Sequence, residues 1–284
     1  MSFDFHQAQD MNMQGRDTMK TTLFLFFAFL IIGCHDPFRD NHTPPNPPQG
    51  IVAVARDNAT QLTWYASQES DVVGYKVWVS DRYDGTYTMI GKTVNPSFTD
   101  NGAKNGVREY YAVSAYDYDG NESDLSKDVV YATPRPEGYG TKLGDYRLSP
   151  TIAGYDFSTY SVGKYNDDLT DLYFEAINGR YYLDVWQDTD IQDMGYTNSL
   201  DDIALAPALG YSPSKTVEAI PGHTYVLWTW DNHYAKVRVK EVTSSRMTFD
   251  WAYQVAQANP ELKRVAGPNE TRTFHPISAS LTAK

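Results

Sequence analysis

The chain is poor in the residues that cross-link a protein, attract polyanions or cross a membrane. It has one cysteine in 284 residues, and a disulfide needs two, so no internal staple is expected. Lys and Arg number 24 against 36 Asp and Glu, a formal net charge of −12 with no basic cluster. Nucleic-acid binding draws its affinity from concentrated positive charge, so that class of partner is excluded. Only one long apolar run occurs, at residues 21–33, and it falls short of the roughly 20 residues that span a bilayer as a helix. Catalytic signatures are missing too: there is no G-x-S-x-G elbow, H-E-x-x-H pair or phosphate loop. A carboxylate pair for glycoside hydrolysis is set by fold rather than spacing and stays open, but the sequence predicts a protein that is not an enzyme.

What is abundant is aromatic. Phe, Trp and Tyr make up 14% of the chain, with 22 Tyr and 6 Trp, and clusters of Gly, Pro, Asn and Asp recur at short intervals, the composition of turn-linked strands. The fold class expected is all-β. The length predicts two folded units, each with its own core.

Residues 21–33 read TTLFLFFAFLIIG, preceded by Lys20 and followed by Cys34. A basic residue, an apolar run and a small residue in that order predict a secretory signal. Ile31, Ile32, Gly33 and Cys34 resemble the lipobox of bacterial lipoproteins, which implies cleavage before Cys34 and diacylglycerol on its thiol. Residues 1–18 are polar and partly acidic, so translation is expected to begin at Met19, with 1–33 an upstream segment and signal peptide. Residues 34–46 are expected to form a lipidated, Pro-rich, semi-rigid spacer. Acyl chains at about 0.8 kcal/mol per buried methylene anchor such a chain without a further segment. The expected location is a bacterial cell envelope, on the outer membrane, with the folded part outside the cytoplasm.

In residues 47–134, strand-like runs at 51–56, 61–64, 74–80, 87–91, 108–116 and 129–133 predict a two-sheet sandwich. Alternation places Leu62 and Trp64, then Tyr75, Val77 and Val79, then Tyr111, Val113 and Ala115 in its core. It points Lys76, Trp78, Tyr110, Ala112, Ser114 and Tyr116 outward, an exposed aromatic stripe. Pro47-Pro48, LTW at 62–64, VVGYKVWVS at 72–80, FTD at 98–100, YYAVSAYDYDGNES at 110–123, Ser126 and ATP at 132–134 together resemble a fibronectin type III domain. The resemblance implies scaffolding or adhesion. Where that family places its corner tyrosine, four residues before Val113, this chain has Glu109, so Tyr110 or Tyr111 takes over that bond or the corner is absent. The acidic stretch 117–122 reads as a hairpin turn.

A linker at 135–141 leads to a second, mainly antiparallel β domain at 142–284, with runs at 172–176, 181–186, 224–230, 234–242 and 246–253. Asp231-Asn232 predicts a two-residue hairpin turn that pairs Trp230 with His233, Trp228 with Ala235 and Val226 with Val237. Trp228 then serves the core, and Tyr225, Leu227, Tyr234, Lys236 and Arg238 lie on the other face. The tip gathers Trp230, His233 and Tyr234, the candidate ligand rim, because binding groups concentrate on turns held by a rigid sheet. YDFST at 155–159, DLYF at 171–174, GHTYVLWTWDNHYAKVRV at 222–239 and FDWAYQ at 249–254 are similar to the HmuY-like lipoproteins, which include haem carriers. No axial ligand of that family maps onto a residue here. His223, His233 and His275 lack metal-site spacing, and Asp188, Asp190 and Asp193 before Gly195 read as solvated turn carboxylates, so no cofactor is expected. The predicted function is a non-enzymatic envelope lipoprotein, its fibronectin-type spacer presenting a domain that binds a ligand or an envelope protein. Haem or metal acquisition and carbohydrate binding are the alternatives.

Overall fold

The computed structural model describes residues 42–263 apart from residue 129. Met19, Cys34, the run 21–33 and His275 lie outside the described residues. The first part of the chain forms β1 (Val52–Arg56), β2 (Ala59–Thr63), β3 (Val72–Ser80), β4 (Thr88–Thr93), β5 (Ser97–Asp100), β6 (Glu109–Asp117) and β7 (Val130–Ala132). These make two antiparallel sheets in the orders β1-β2-β5 and β4-β3-β6-β7, the three-on-four sandwich of a fibronectin type III-like fold. Leu62, Trp64, Tyr75, Val77, Tyr111, Val113 and Ala115 fill the space between the sheets, with Val79 packed at its margin, as the alternation predicted. Trp64 meets Tyr75 edge to face at 5.4 Å. Strand β5 was not legible as a strand, because four residues with one aromatic carry little pattern; its pairing with β2 makes it one.

The outer face departs from the expected stripe. Trp78 is only 7% exposed, and Ala112 and Ser114 are fully buried. The chain at 122–126 returns along β6, Ser123 N donating to Ala115 O at 2.9 Å and Ser126 N to Val113 O at 2.8 Å. Glu122 thereby reaches this face, where it accepts from Ser114 Oγ at 2.6 Å and pairs with Lys76, while Trp78 Nε1 donates to Ser114 Oγ at 2.9 Å. That polar network replaces the exposed stripe. Tyr111, fully buried, donates to Asp100 Oδ2 at 3.0 Å. Its partner is a side chain rather than the backbone that a tyrosine corner uses.

The second part contains β8 (Glu137–Gly144), β9 (Gly154–Asp156), β10 (Ser161–Gly163), β11 (Leu172–Ile177), β12 (Arg180–Asp184), β13 (Asp190–Tyr196), β14 (Thr216–Glu218), β15 (His223–Trp228), β16 (Tyr234–Val242) and β17 (Arg246–Gln254). They form two five-stranded sheets, β10-β9-β11-β12-β14 and β13-β15-β16-β17-β8. Leu172, Phe174 and Leu183 from the first, with Phe157 from the turn after β9, face Tyr225, Leu227, Val237, Phe249 and Trp251 from the second across one apolar core. Tyr155 joins the layers, edge to face with Phe249 at 5.5 Å.

Charged side chains fasten the two sandwiches. Arg135 is fully buried, donates to Ala55 O at 3.3 Å, and lies 3.6 Å from Glu137 and 3.8 Å from Asp201. Asp201 also holds Arg56 at 2.9 Å and Lys263 at 3.1 Å. Glu261 bonds across the same junction, to Arg108 at 3.1 Å and to the Tyr131 hydroxyl at 2.7 Å. Buried ions survive only when paired or hydrogen-bonded, so these contacts fix the approach of the sandwiches.

Candidate functional site

The register of the β15–β16 hairpin decides which aromatic rings face outward. Thr229 N donates to His233 O at 2.9 Å, Asn232 N donates to Thr229 O at 2.9 Å, and Asn232 adopts a φ of 65°. A turn closed by a left-handed residue is a three-residue loop, here 230–232, in place of the expected two-residue one. The extra residue slips the pairing by one: Trp228 faces Tyr234, Leu227 faces Ala235 and Tyr225 faces Val237. Because strand side chains alternate, that slip exchanges the faces of β15, while Ala235 and Val237 of β16 keep the core side expected of them. Tyr225 and Leu227 enter the core, and Trp228, expected there, is 38% exposed on the outer face. Lys236 and Arg238 do lie on the outer face but are buried, since residues 197–203 cover them. Lys236 Nζ donates to Ile203 O at 2.8 Å and Arg238 Nη2 to Thr197 O at 2.8 Å.

The uncovered end of that face is a cleft of about 330 Å³ lined by Asp188, Asp190, Trp228, Thr229, Trp230 and Asn232. Asp190 stands opposite Trp228 in the β13–β15 ladder, and Lys215 Nζ bonds its Oδ1 at 2.8 Å. The Trp228 ring stacks on Tyr234 at 5.7 Å, has Tyr211 at 6.2 Å, and donates from Nε1 to Asn232 Oδ1 at 2.8 Å. Trp230, at the loop tip, is 52% exposed. Hydrogen bonds hold the loop from beneath. Asp231 accepts from Thr229 Oγ1 at 2.6 Å and from the Tyr253 hydroxyl at 3.2 Å, and Gln257 and Ala258 bond the carbonyls of Asp231 and Asn232. Burial alone would raise the Asp231 pKa, but the bonds from Thr229 and the nearby His233 hold it below the ordinary value.

Of the expected rim, the structure brings Trp230 to the cleft and lays Tyr234 against Trp228. His233 turns away: its ring lies 5.4 Å from Tyr253, with Nδ1 3.1 Å from Asp231 Oδ2 but without hydrogen-bond geometry. His223 Nδ1 lies 3.0 Å from each oxygen of Asp193. Trp228, Asp188, Asp190 and Asn232 were not expected as lining. Their signal, two acidic residues at 188 and 190 and two Trp around one loop, was present, but only the observed register joins them. Among the described residues, no group of three or more His, Cys, Asp or Glu is placed to hold a metal ion, and no helix is long and apolar enough to cross a membrane.

These features define a pair of antiparallel β-sandwiches, the first fibronectin type III-like, with an aromatic and acidic cleft on the second. No family model matches the chain. An amylopullulanase of Thermoanaerobacterium saccharolyticum is 35% identical over 158 residues, which cover 55% of this chain and 10% of that enzyme. An Fn3-like protein from Clostridium thermocellum is 30% identical, covering 31% of this chain and 92% of that one with a TM-score of 0.28. A β-1,2-glucanase from Parabacteroides distasonis is 30% identical over 34% of this chain and 14% of that enzyme, with a TM-score of 0.29. The chain thus spans about a tenth of the length of the amylopullulanase it resembles, and no catalytic domain is identified by the match.

Proposed function

We propose that this protein is a non-catalytic, envelope-anchored lipoprotein whose second sandwich binds an uncharged glycan, with the fibronectin-type sandwich as its mount. One observation carries the reading: Trp228 and Trp230, both partly exposed, line one cleft whose other walls are Asp188, Asp190, Thr229 and Asn232. A sugar ring has apolar C–H faces and a belt of hydroxyls. Flat aromatic surface takes the faces, and carboxylates and amides take the hydroxyls. Exposing grouped large apolar rings costs solubility and marks an interaction site. The net charge of −12 disfavours polyanionic glycans. The likeness to a segment of a polysaccharide-acting enzyme supports the same ligand class.

Affinity electrophoresis tests this. In native gels containing pullulan, soluble starch or a mixed-linkage β-glucan, the wild type is expected to be retarded by at least one polysaccharide, and Trp230→Ala to run freely with an unchanged melting temperature. Unretarded wild type in all three gels contradicts glycan binding, and a Soret band on haem titration would put the HmuY-like reading in its place. The anchor is tested separately. Cys34→Ala is expected to abolish acyl labelling and release the protein from membranes, and full membrane retention would refute the anchor.

A further inference from the structure

The outer face of the other five-stranded sheet carries a second aromatic group. Tyr173 of β11 and Asp184 of β12 are cross-strand partners, so their side chains stand on the same face, opposite to the core residues Leu172, Phe174 and Leu183. Tyr146 and Tyr165 each lie 5.7 Å from Tyr173, and Trp186 lies 5.3 Å from it. The four rings therefore form one continuous surface ending on Trp186, which is 37% exposed. Its plane is fixed by a hydrogen bond from Nε1 to Tyr165 O at 3.2 Å.

Two features of this surface point to a ligand, the first of them polar. Asp184 is 6% exposed, and although Oδ1 accepts from Thr216 Oγ1 at 2.6 Å, Oδ2 is buried with no partner. A buried acceptor left unpaired is costly, and in native structures such a group calls for an explanation. Burial raises the Asp184 pKa to about 6. Glu175 holds Arg147 at 2.9 Å at the edge of the rings. The second feature is position. Thr189 N donates to Trp186 O at 3.0 Å, closing a tight turn; Trp186 belongs to the aromatic surface, and Asp188 on that same turn lines the cleft of Trp228 and Trp230.

We propose that the surface of Tyr173, Trp186 and Asp184 is a second glycan-binding platform, joined to the cleft through the turn at 186–189, so that the ligand is a polysaccharide chain long enough to lie on both. The proposal rests on the glycan reading above. The occupant follows from the chemistry: rings beside carboxylates suit a polyhydroxylated chain, and the turn at 186–189, with Trp186 at one end and Asp188 at the other, gives that chain a path round the sandwich from the outer face of one sheet to the outer face of the other. Two sites on one ligand turn the second contact into an intramolecular step, and the gain in apparent affinity depends on chain length.

Calorimetric titration separates the two platforms. The titrants are the polysaccharide that retards the protein, among pullulan, soluble starch and mixed-linkage β-glucan, and a trisaccharide cut from it. Trp186→Ala is expected to weaken polysaccharide binding at least about tenfold while leaving trisaccharide affinity within about twofold. Trp186→Leu, which keeps apolar bulk but loses the aromatic plane, is expected to show the same loss at an unchanged melting temperature, separating stacking from folding. If Trp186→Ala and Trp186→Leu bind the polysaccharide as the wild type does while Trp230→Ala does not bind, the second platform is overturned and the cleft stands. If the wild type binds none of the three, both proposals fall.

Discussion

The two sandwiches treat their aromatic residues differently. In the first, Trp64, Tyr75 and Tyr111 are core, Trp78 is sealed under a Lys76–Glu122–Ser114 network, and the strongly exposed rings, Tyr65 and Tyr118, sit singly outside the strands. In the second, a larger aromatic core coexists with Trp186, Trp228 and Trp230, all exposed and all near the turn at 186–189. Single exposed rings are ordinary on any protein. Grouped ones beside unneutralised polar atoms are not, and that grouping, rather than aromatic content, is what sets the sandwich we propose to bind apart from the one we propose to carry it.

The comparison can be broken first at the cores. Trp64→Ala and Phe249→Ala are each expected to cost about 3 to 5 kcal/mol, as for truncating buried aromatics. Because the cores are separate clusters, scanning calorimetry should show each variant lowering a different transition. A single transition moved equally by both would mean that the junction makes one cooperative unit. The junction itself comes next. Asp201→Ala leaves the buried Arg135 with Glu137, at 3.6 Å, as its one carboxylate neighbour and takes the partner from Arg56 and Lys263, and breaking such a network is expected to cost about 3 kcal/mol in denaturant titration.

A third expectation belongs to the second sandwich alone. Asp171 is 1% exposed; its Oδ2 accepts from Phe157 N at 2.9 Å and its Oδ1 has no partner. Burial raises its pKa from 3.8 to about 7. The folded state therefore binds more protons than the unfolded between those values, so this group makes stability fall as pH rises through that window. Asp171→Asn removes the effect. Its stability relative to the wild type should grow by a few kcal/mol from pH 4 to pH 8, at about 1.4 kcal/mol per pKa unit. A difference that stays flat across that range would contradict a protonated Asp171. The smallest effect is expected at Trp228→Ala. On the observed outer face it should change stability by less than about 1 kcal/mol, whereas the two-residue turn would have made it a core truncation of about 3 to 5 kcal/mol.

The first sandwich was nearly legible from sequence because its strands alternate cleanly and the paired strands β3 and β6 are long, nine residues each. The second was legible only in part. Strands β9, β10 and β14 have three residues each, too few to show a period, and they exist through their neighbours' hydrogen bonds. The hairpin at 223–242 was placed correctly in the chain, and Ala235 and Val237 were rightly given to the core, yet its first strand was assigned the wrong face. Asp231-Asn232 looks like a two-residue turn, and nothing local says that Trp230 joins the loop. Asn232 at positive φ and the Asp231 contacts to Thr229 and Tyr253 settle it, and Tyr253 is distant in sequence. The candidate site inherited that error: Trp230 was anticipated, Trp228 was sent to the core, and Asp188 and Asp190 were read as solvent-facing carboxylates.

The most direct test of the division between carrier and binder removes exposed rings from each sandwich and compares the variants in one affinity gel. Tyr65→Ala with Tyr118→Ala strips the exposed rings of the first, and Trp228→Ala with Trp230→Ala strips the cleft of the second. Polysaccharide retardation is expected to be unchanged in the first double variant and lost in the other, both melting close to the wild type. Retardation lost from the tyrosine pair and kept by the tryptophan pair would contradict the account.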